Sequence, residues 1–348
     1  FHHVSLLQEV ALAEKSVGDQ LKEEWVTPPV RHLPFVPCRL QPRGVIMQSR
    51  SRLKEDGVTL EDYEKPRIIT DTSYGGPDSV NAGVAGVDRA IALPSCQSLG
   101  RGWAICAAAH HPTKAAPAAG SGVAGYCVDA ESAYSFCPVQ TADLWTQCFC
   151  WWGTDGVAGF ACDHRMGFGG AYGPNRFERI STLAAAYAQH MHAAFDAAQP
   201  PPQETQAFTA HRRALQRLGK LPPGEAQVHP RFIQVFIDDF TGTAGTDLVT
   251  PPSSVDHVII DARHMRAAGC TPAAPSTRVY VHAQLVVLAL SHVGLYAAPH
   301  KVACGSPLPA LGLLFDADAG IIRCPSGKRA AVMAAAAEAR DLAIAEAK

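Results

Sequence analysis

Two adjacent aspartates, Asp238 and Asp239, follow an apolar run at residues 232–237 and precede a Thr/Gly-rich segment at residues 241–245. An apolar run that meets turn residues in this way predicts a β-hairpin with both carboxylates at its tip. Adjacent anions at a strand end repel each other, and a divalent cation opposite them relieves the repulsion. Acidic pairs also occur in ordinary solvated turns, so the pair alone leaves both interpretations open.

A second short apolar strand, at residues 126–128, also ends in an aspartate, Asp129. Two such strands lying side by side would bring three carboxylates together. They would hold two Mg²⁺ ions about 3.5–4 Å apart, the arrangement that clamps the attacking and leaving oxygens of an in-line displacement at phosphorus. The sequence therefore predicts a metal-dependent phosphoryl-transfer enzyme.

Further short segments follow one another in a distinctive order along the chain. They lie at residues 65–71, 128–139, 166–177, 236–239, 294–301 and 311–313. Together they resemble the polymerase domain of reverse transcriptases from retroviruses and retrotransposons, and the end of the region is loosely similar to DIRS-like elements. The departures are Phe236 in place of the usual Tyr, Gly167 in place of Pro, and Ala171 in place of Arg. None of them removes a carboxylate.

The resemblance implies an α+β, right-hand polymerase fold of fingers and palm, with an antiparallel palm sheet backed by helices and the thumb largely absent. All 348 residues would form a single reverse-transcriptase domain. Its parts would be the N-terminal helix and fingers (1–125), the palm (126–325), a fingers return within the palm (about 140–172), insertions (about 199–230 and 242–277) and the start of a thumb (326–348).

The resemblance also implies the reaction, which is DNA synthesis from deoxynucleoside triphosphates with two Mg²⁺ or Mn²⁺ ions. It gives Asp129, Asp238 and Asp239 the roles of metal ligands and catalytic residues. Lys301 would act catalytically beside the leaving pyrophosphate.

Substrate contacts follow from the same resemblance. The expected nucleotide-binding residues are Arg67, Ala130, Tyr134, Phe168 and Gly169, and the expected primer grip is Leu311 with Gly312. The partners would be an RNA or DNA template with its primer and dNTPs, with no membrane. Ribonuclease H, integrase or recombinase domains of a retroelement would lie outside this chain.

Two other functions stay open on the sequence. An RNA-dependent RNA polymerase shares the two-metal palm, but the bulky Tyr134, five residues after Asp129, argues against it. A retroelement-derived palm could also persist as a catalytically weak or inactive nucleic-acid-binding module. The intact carboxylates favour activity.

The charge of the chain bears on nucleic-acid binding, because Lys and Arg contacts to phosphates supply most non-specific affinity. The net charge is only −2. Two basic clusters could still face nucleic acid or be ordinary solvated surfaces. The first contains Arg31, Arg39, Arg43, Arg50, Arg52 and Lys54, and the second contains Arg212, Arg213, Arg217 and Lys220.

Eleven cysteines without a small-scaffold spacing indicate buried, reduced thiols in an intracellular protein of the cytoplasm or nucleus. A zinc site could be assembled from Cys148, Cys150, Cys162 and His164, but alternating cysteines at 148–152 are also typical of a half-buried strand. His190 and His192 are expected on a helix surface.

Helices are predicted at residues 4–25, 175–198 and 328–348, with Pro174 beginning the second. A flexible Ala/Gly/Pro-rich insertion is expected at residues 107–125. The longest apolar stretch, residues 283–298, is shorter than the ~20 residues that span a bilayer.

Overall fold

A computed structural model describes residues 9–91, 93–94, 122–167, 169–200, 213, 217, 232–255, 257–297, 299–316, 321–324, 329–330, 333–334 and 337. Within them the chain has a mixed α/β fold with several sheets. The strands are β1 (Leu40–Gln41), β2 (Arg43–Leu53), β3 (Leu60–Thr70), β4 (Val123–Asp129), β5 (Cys148–Trp152), β6 (Ala158–Cys162), β7 (Phe232–Phe236), β8 (Asp239–Gly245), β9 (Thr271–Pro272), β10 (Ala303–Ser306), β11 (Leu308–Ala310), β12 (Leu313–Asp316) and β13 (Ile321–Arg323). The helices are α1 (Val10–Lys22), α2 (Gly86–Arg89), α3 (Gly173–Ala198), α4 (Arg263–Ala267) and α5 (Arg278–His292).

A five-stranded sheet in the order β7-β8-β4-β10-β9 is antiparallel at every neighbouring pair. The long helices α3 and α5 pack on it. Their apolar side chains, such as Phe177 and Leu290, join Val128 and Phe240 of the sheet in the main core. The expected antiparallel sheet backed by helices is therefore present, and its identification as a polymerase palm stays a prediction.

The hairpin predicted around the aspartate pair is formed by β7 and β8, with Ile237 and Asp238 as its two-residue turn. The prediction was wrong for residues 241–245, which continue β8 instead of turning. Their small side chains let β8 pass through the sheet interior. A Cβ on Gly242 would lie 2.2 Å from the hydroxyl oxygen of Tyr126 on β4. Close packing in the sheet therefore requires a small residue at this position.

Helix α3 confirms the prediction for residues 175–198 and begins with Pro174 in its first turn. Small residues at helical spacing, Ala184 and Ala188 among them, form its buried face. His192 continues this face, so the expectation that it lies on the surface was wrong, whereas His190 is exposed as expected. The imidazole of His192 stacks on that of His282, with ring centroids 4.1 Å apart.

Two smaller sheets lie N-terminal to α3. Strands β2 and β3 form a long two-stranded ribbon, paired along eleven residues each. In the second sheet, β5 lies between β1 and β6. Strand β5 was predicted to be half-buried, but both of its faces are covered, with only Trp152 exposed, because the helix α1 packs on this sheet through Ala13 and Val17.

Several predictions fall wholly or mainly outside the described residues. These are Phe168, the insertions at 107–125 and 199–230, the second basic cluster, and the helix at 328–348. Helix α1 lies within the predicted range 4–25, and residues 242–245 of the predicted insertion at 242–277 belong to β8. None of the helices in the described ranges is long and apolar enough to cross a membrane.

Candidate active site

Three carboxylates meet at one edge of the five-stranded sheet. Asp129 ends β4 and is the register partner of Asp239, the first residue of β8. Asp238 lies in the preceding turn, and its carbonyl oxygen accepts a hydrogen bond from the Ala130 amide at 2.9 Å. The main chain therefore joins the hairpin turn to the end of β4, which brings together three residues that the sequence predicted.

The turn that carries Asp238 has an unusual backbone. Ile237 has a φ of 60°, although a β-branched residue rarely adopts a left-handed conformation and is strained there. Its side chain packs against the main core. The core contact holds the strained residue, and this sets the orientation of the turn at the carboxylates.

The carboxylates repel one another in a partly dehydrated setting. Burial and then Asp129 raise the pKa of Asp238, while Arg67 and Lys301 lower it. Burial, followed by Asp238 and Asp129, raises the pKa of Asp239 to about 7. Without a counter-ion, the site therefore resists full ionisation at neutral pH.

Lys301 forms an ion pair with Asp129. Its Nζ lies 3.3 Å from Asp129 Oδ2 and 3.9 Å from Glu131 Oε1. The amine thus neutralises part of the cluster, and the 3₁₀ turn Pro299–Lys301 presents it. Glu131 was not singled out from the sequence.

The donor set fits hard divalent cations, because carboxylate oxygens are the ligands that Mg²⁺ and Mn²⁺ prefer. In the described part of the chain, no three Asp, Glu, His or Cys side chains are grouped so that together they could hold one ion. Mg²⁺ commonly binds through one or two carboxylates and completes its shell with water and substrate phosphates. The residues therefore fit ions that arrive with a phosphorylated substrate.

Asp239 offers a test of this cluster that needs no substrate. Its folded-state pKa of about 7 exceeds the ordinary value of 3.8, so its contribution to stability is lost as the pH rises through that interval. The measurement is made with a chelator present, so that no divalent cation neutralises the cluster. Asp239→Asn should then raise the free energy of unfolding by ~2 kcal/mol at about pH 8 and leave it unchanged at about pH 4. Urea unfolding measures both values.

The control is Asp261→Asn, because a hydrogen bond from Arg263 holds the pKa of Asp261 at about 2. The sign is then reversed: Asp261→Asn should lose most of this stabilisation already at about pH 4 and all of it at about pH 8, because both values lie above the ordinary pKa of 3.8. An Asp239→Asn protein that gains nothing at the higher pH would contradict the clustered geometry.

A cleft of about 2270 Å³ opens over the three carboxylates. Away from the carboxylate floor, basic side chains outnumber the acidic ones, which are Asp19, Glu23, Glu55, Asp163 and Asp261. The basic residues include Arg50, Arg52, Lys54, Lys65, Arg67 and Arg165. Arg67 lies on β3, so the ribbon forms one wall and the five-stranded sheet forms the floor. A cleft of this kind can accept a polyanion whose phosphates reach the carboxylate floor through a cation.

The first basic cluster is divided by the fold. Arg50, Arg52 and Lys54 face the cleft. Arg43 is buried and pairs with Asp163 at 2.6 Å, while Arg31 pairs with Asp155. Arg52 also pairs with Glu61, at 2.7 Å. Of this cluster, Arg43 is locked in a buried pair, whereas the exposed pairs can exchange for contacts with a ligand.

Tyr134 lies just below the site, in the 3₁₀ turn Ala133–Phe136. Its half-buried ring makes an edge-on contact with Phe177, with centroids 5.7 Å apart. Burial and then Asp238 raise its pKa to about 12, so the phenol is neutral at physiological pH. The ring is held rigidly beside the carboxylates.

Gly169 has a packing role. Its φ is 117°, and an added Cβ would lie 2.0 Å from the carbonyl oxygen of Thr70. Asn81 and Thr72 donate hydrogen bonds to its carbonyl oxygen. The close neighbour of this glycine is therefore the end of β3, and a role in nucleotide binding stays a prediction.

Leu311 and Gly312 form the turn between β11 and β12, and a turn was predicted at these residues. Both have positive φ, 51° and 71°, which is typical of the tight two-residue turn of a β-hairpin. Pro309, just before it, lines the cleft. The turn is thus near the cleft, and its primer contact stays a prediction.

Several residues that line the cleft were not predicted from the sequence. Arg165 follows β6, and Asp261, Arg263 and His264 come from the stretch predicted to be an insertion. They reach the wall through tertiary packing. The first basic cluster was visible in the sequence as a possible nucleic-acid contact, whereas no comparable pattern marks these positions.

No known protein family and no curated protein matches this chain. The solved structures similar to it include prototype foamy virus protease-reverse transcriptase, at 13% identity, with a TM-score of 0.38, covering 93% of this chain and 27% of that one. Another is the foamy viral protease-reverse transcriptase dRH in complex with double-stranded DNA, at 14% identity, with a TM-score of 0.38, covering 88% and 33%. The chain spans about a third or less of both proteins, and the similarity is too low to carry an argument about function.

Proposed function

We propose that this chain is the polymerase domain of an RNA-directed DNA polymerase, a reverse transcriptase of the retrotransposon or retroviral type. The observation that carries the proposal is the meeting of Asp129, Asp238 and Asp239 on the floor of a cleft with basic walls. The resemblance of six ordered sequence segments to reverse transcriptases supports a polymerase over other phosphoryl-transfer enzymes. Adding dNTPs to a primer 3′ end is the phosphoryl transfer that this site would perform.

Asp129 and Asp238 would bind two Mg²⁺ or Mn²⁺ ions, with the Ala130 carbonyl as a further ligand and Asp239 as the weaker third acid. When bound, such ions stabilise the attacking and leaving oxygens of the displacement. The raised pKa values of Asp238 and Asp239 support this assignment, because the like charges need a counter-ion to ionise together.

The basic residues of the cleft would act on the triphosphate. Arg67 carries a planar, permanently charged guanidinium that can stabilise charge developing on phosphoryl oxygens. Lys301, now paired with Asp129, would turn to the leaving pyrophosphate as a proton donor or point charge. The ribbon residues Arg50 and Lys65 would contact the backbone of the template or primer.

The partners in this proposal are a primed RNA or DNA template and dNTPs, inside the cell in the cytoplasm or nucleus. Primer extension on homopolymer RNA and DNA templates, with Mg²⁺ or Mn²⁺, tests it. Extension of the RNA-templated primer with dNTPs is expected. Incorporation of ribonucleotides alone would make the protein an RNA polymerase, and template binding without extension would make it an inactive binding module.

Sugar selection gives a sharper prediction. A ring held by Phe177 beneath the incoming sugar would collide with a 2′-hydroxyl, which should disfavour ribonucleotides by a few kcal/mol, or ~10²-fold. Tyr134→Ala should admit ribonucleotides and largely preserve dNTP addition. The measurement is the ratio of incorporation efficiencies for a matched dNTP and rNTP.

Tyr134→Phe is the matched control, because it keeps the ring and removes only the hydroxyl. Its ratio should equal that of the parent. If truncation to alanine leaves the ratio unchanged, Tyr134 is a core residue without a role in selecting the sugar.

A further inference from the structure

Three thiols meet in the sheet formed by β1, β5 and β6, away from the carboxylate site. The Sγ atoms of Cys148 and Cys162 lie 3.0 Å apart, and neither residue is exposed to solvent. The thiol of Cys38, just before β1, lies close enough to those of Cys148 and Cys162 to interact with them electrostatically. No part of the proposed polymerase reaction uses these groups.

The backbone at this position suits a bond between the two buried sulfurs. Cys148 and Cys162 are directly opposite each other in antiparallel strands. The amide and carbonyl of Cys162 bond to Thr27, away from β5, so this is a non-hydrogen-bonded pair. Such pairs have Cα atoms about 4.5 Å apart, within the range of about 4.4–6.8 Å that a disulfide spans.

Cys38 connects the pair to solvent. It is partly exposed, unlike the other two, and lines a surface cavity of about 650 Å³ together with Tyr74 and Trp145. Parallel pairing of Leu40 with Cys148 holds the segment that carries Cys38 against β5. A small molecule in the cavity can therefore reach Cys38, whereas Cys148 and Cys162 are buried and do not line the cavity.

We propose that Cys148 and Cys162 form a reversible disulfide, and that Cys38 is the exchange thiol through which a low-molecular-weight disulfide oxidises them. This is a modification site, independent of the proposed polymerase activity.

The exchange balances in three steps. The Cys38 thiolate attacks the disulfide RSSR, forms a mixed disulfide and releases one RS⁻, which takes up the Cys38 proton as RSH. The Cys148 sulfur attacks Cys38 Sγ and expels the second RSH. The Cys162 sulfur then attacks Cys148 Sγ and returns Cys38 to the thiol. Two thiols are oxidised and one disulfide is reduced to two RSH.

The first experiment maps the bond in the full chain. The protein is incubated with oxidised glutathione at about pH 8.5, since burial raises the pKa of the Cys38 thiol and slows exchange at lower pH. Free thiols are then alkylated in denaturant and the chain is cut with chymotrypsin. Cleavage after Trp145, Phe149 and Phe160 separates Cys148, Cys150 and Cys162, which trypsin leaves on one peptide.

The expected product is a cross-linked pair of peptides that contain Cys148 and Cys162, lost on treatment with dithiothreitol. The bond closes a loop, so oxidation should raise the thermal midpoint by about 5 °C, and Cys148→Ser should abolish the rise. Absence of the cross-linked pair in the parent protein, or a bond to another cysteine instead, would overturn the proposal.

The second experiment tests the route. Cys38→Ser should slow formation of the Cys148–Cys162 bond by at least ~10-fold, because the buried sulfurs lose their exchange partner. Cys150→Ser is the matched control, since Cys150 is a buried cysteine of the same strand, and its rate should equal that of the parent. In Cys162→Ser, a Cys38–Cys148 bond should accumulate. Equal rates in Cys38→Ser and the parent would remove Cys38 from the route.

Discussion

Asp129→Asn and Asp238→Asn are each expected to lower the rate of primer extension by about 10³-fold, which corresponds to ~4 kcal/mol of lost transition-state stabilisation. Each substitution keeps the side-chain volume and replaces one anionic oxygen with an amide. Asp129 ends β4 and Asp238 lies in the β7–β8 turn, so neither change disturbs a core contact. Single-nucleotide addition on a primed RNA template, at saturating dNTP, measures the effect.

Glu131→Gln is the matched control, because Glu131 is an exposed neighbouring carboxylate that also faces Lys301. It should extend primers within about threefold of the parent, as expected for a group outside the proposed ligand set. Circular dichroism and the thermal midpoint check that each variant is folded. Activity of Asp129→Asn or Asp238→Asn within tenfold of the parent would remove that residue from the site.

Arg278→Met is expected to destabilise the fold by about 3–5 kcal/mol, because it leaves a buried carboxylate without its cation. Arg278 is 2% exposed, and its Nη1 lies 2.7 Å from Oδ1 of the fully buried Asp196. Its other donors contact Asp247 and the carbonyl oxygen of Gln199. His282 also donates to Asp196 at 3.0 Å. This network joins the end of α3 to the start of α5 behind the carboxylate site.

The midpoint of urea unfolding measures this loss. Arg31→Met, which breaks the exposed pair with Asp155, should leave the midpoint unchanged. Combining Arg278→Met with Asp196→Leu should recover part of the stability, because an apolar pair avoids the dehydration of both charges. A single variant as stable as the parent would show that the network contributes little. A double variant no more stable than the single one would show that the loss does not come from the unpaired Asp196 carboxylate.

Local chemistry made several elements predictable from the sequence. Pro174 at the start of a helical pattern predicted α3, and the apolar run before Asp238 and Asp239 predicted the hairpin and the position of both acids. The turn at Leu311 and Gly312 was also visible. In each case the deciding interactions lie within a few residues, where periodicity and turn preferences act.

Burial was harder to predict because it depends on which face meets a distant element. His192 has the polarity of a surface residue, yet it continues the small-residue face of α3 that packs on α5. Residues 241–245 have turn composition, yet they form the inner part of β8 because Tyr126 needs the space beside Gly242. The type of a residue does not determine whether it is buried, because burial depends on the element that packs against it.

The sequence by itself determined the three aspartates, the ends of the strands that carry Asp129 and Asp238, and α3, one of the two long helices that back them. The other, α5 (Arg278–His292), was not predicted. Only the tertiary structure decided that Asp129 faces Asp239, that Lys301 reaches Asp129, and that Cys148 meets Cys162. These contacts join residues far apart in the chain. Strand register and side-chain contact across a sheet depend on how whole elements pack together, and a local pattern carries no information about that choice.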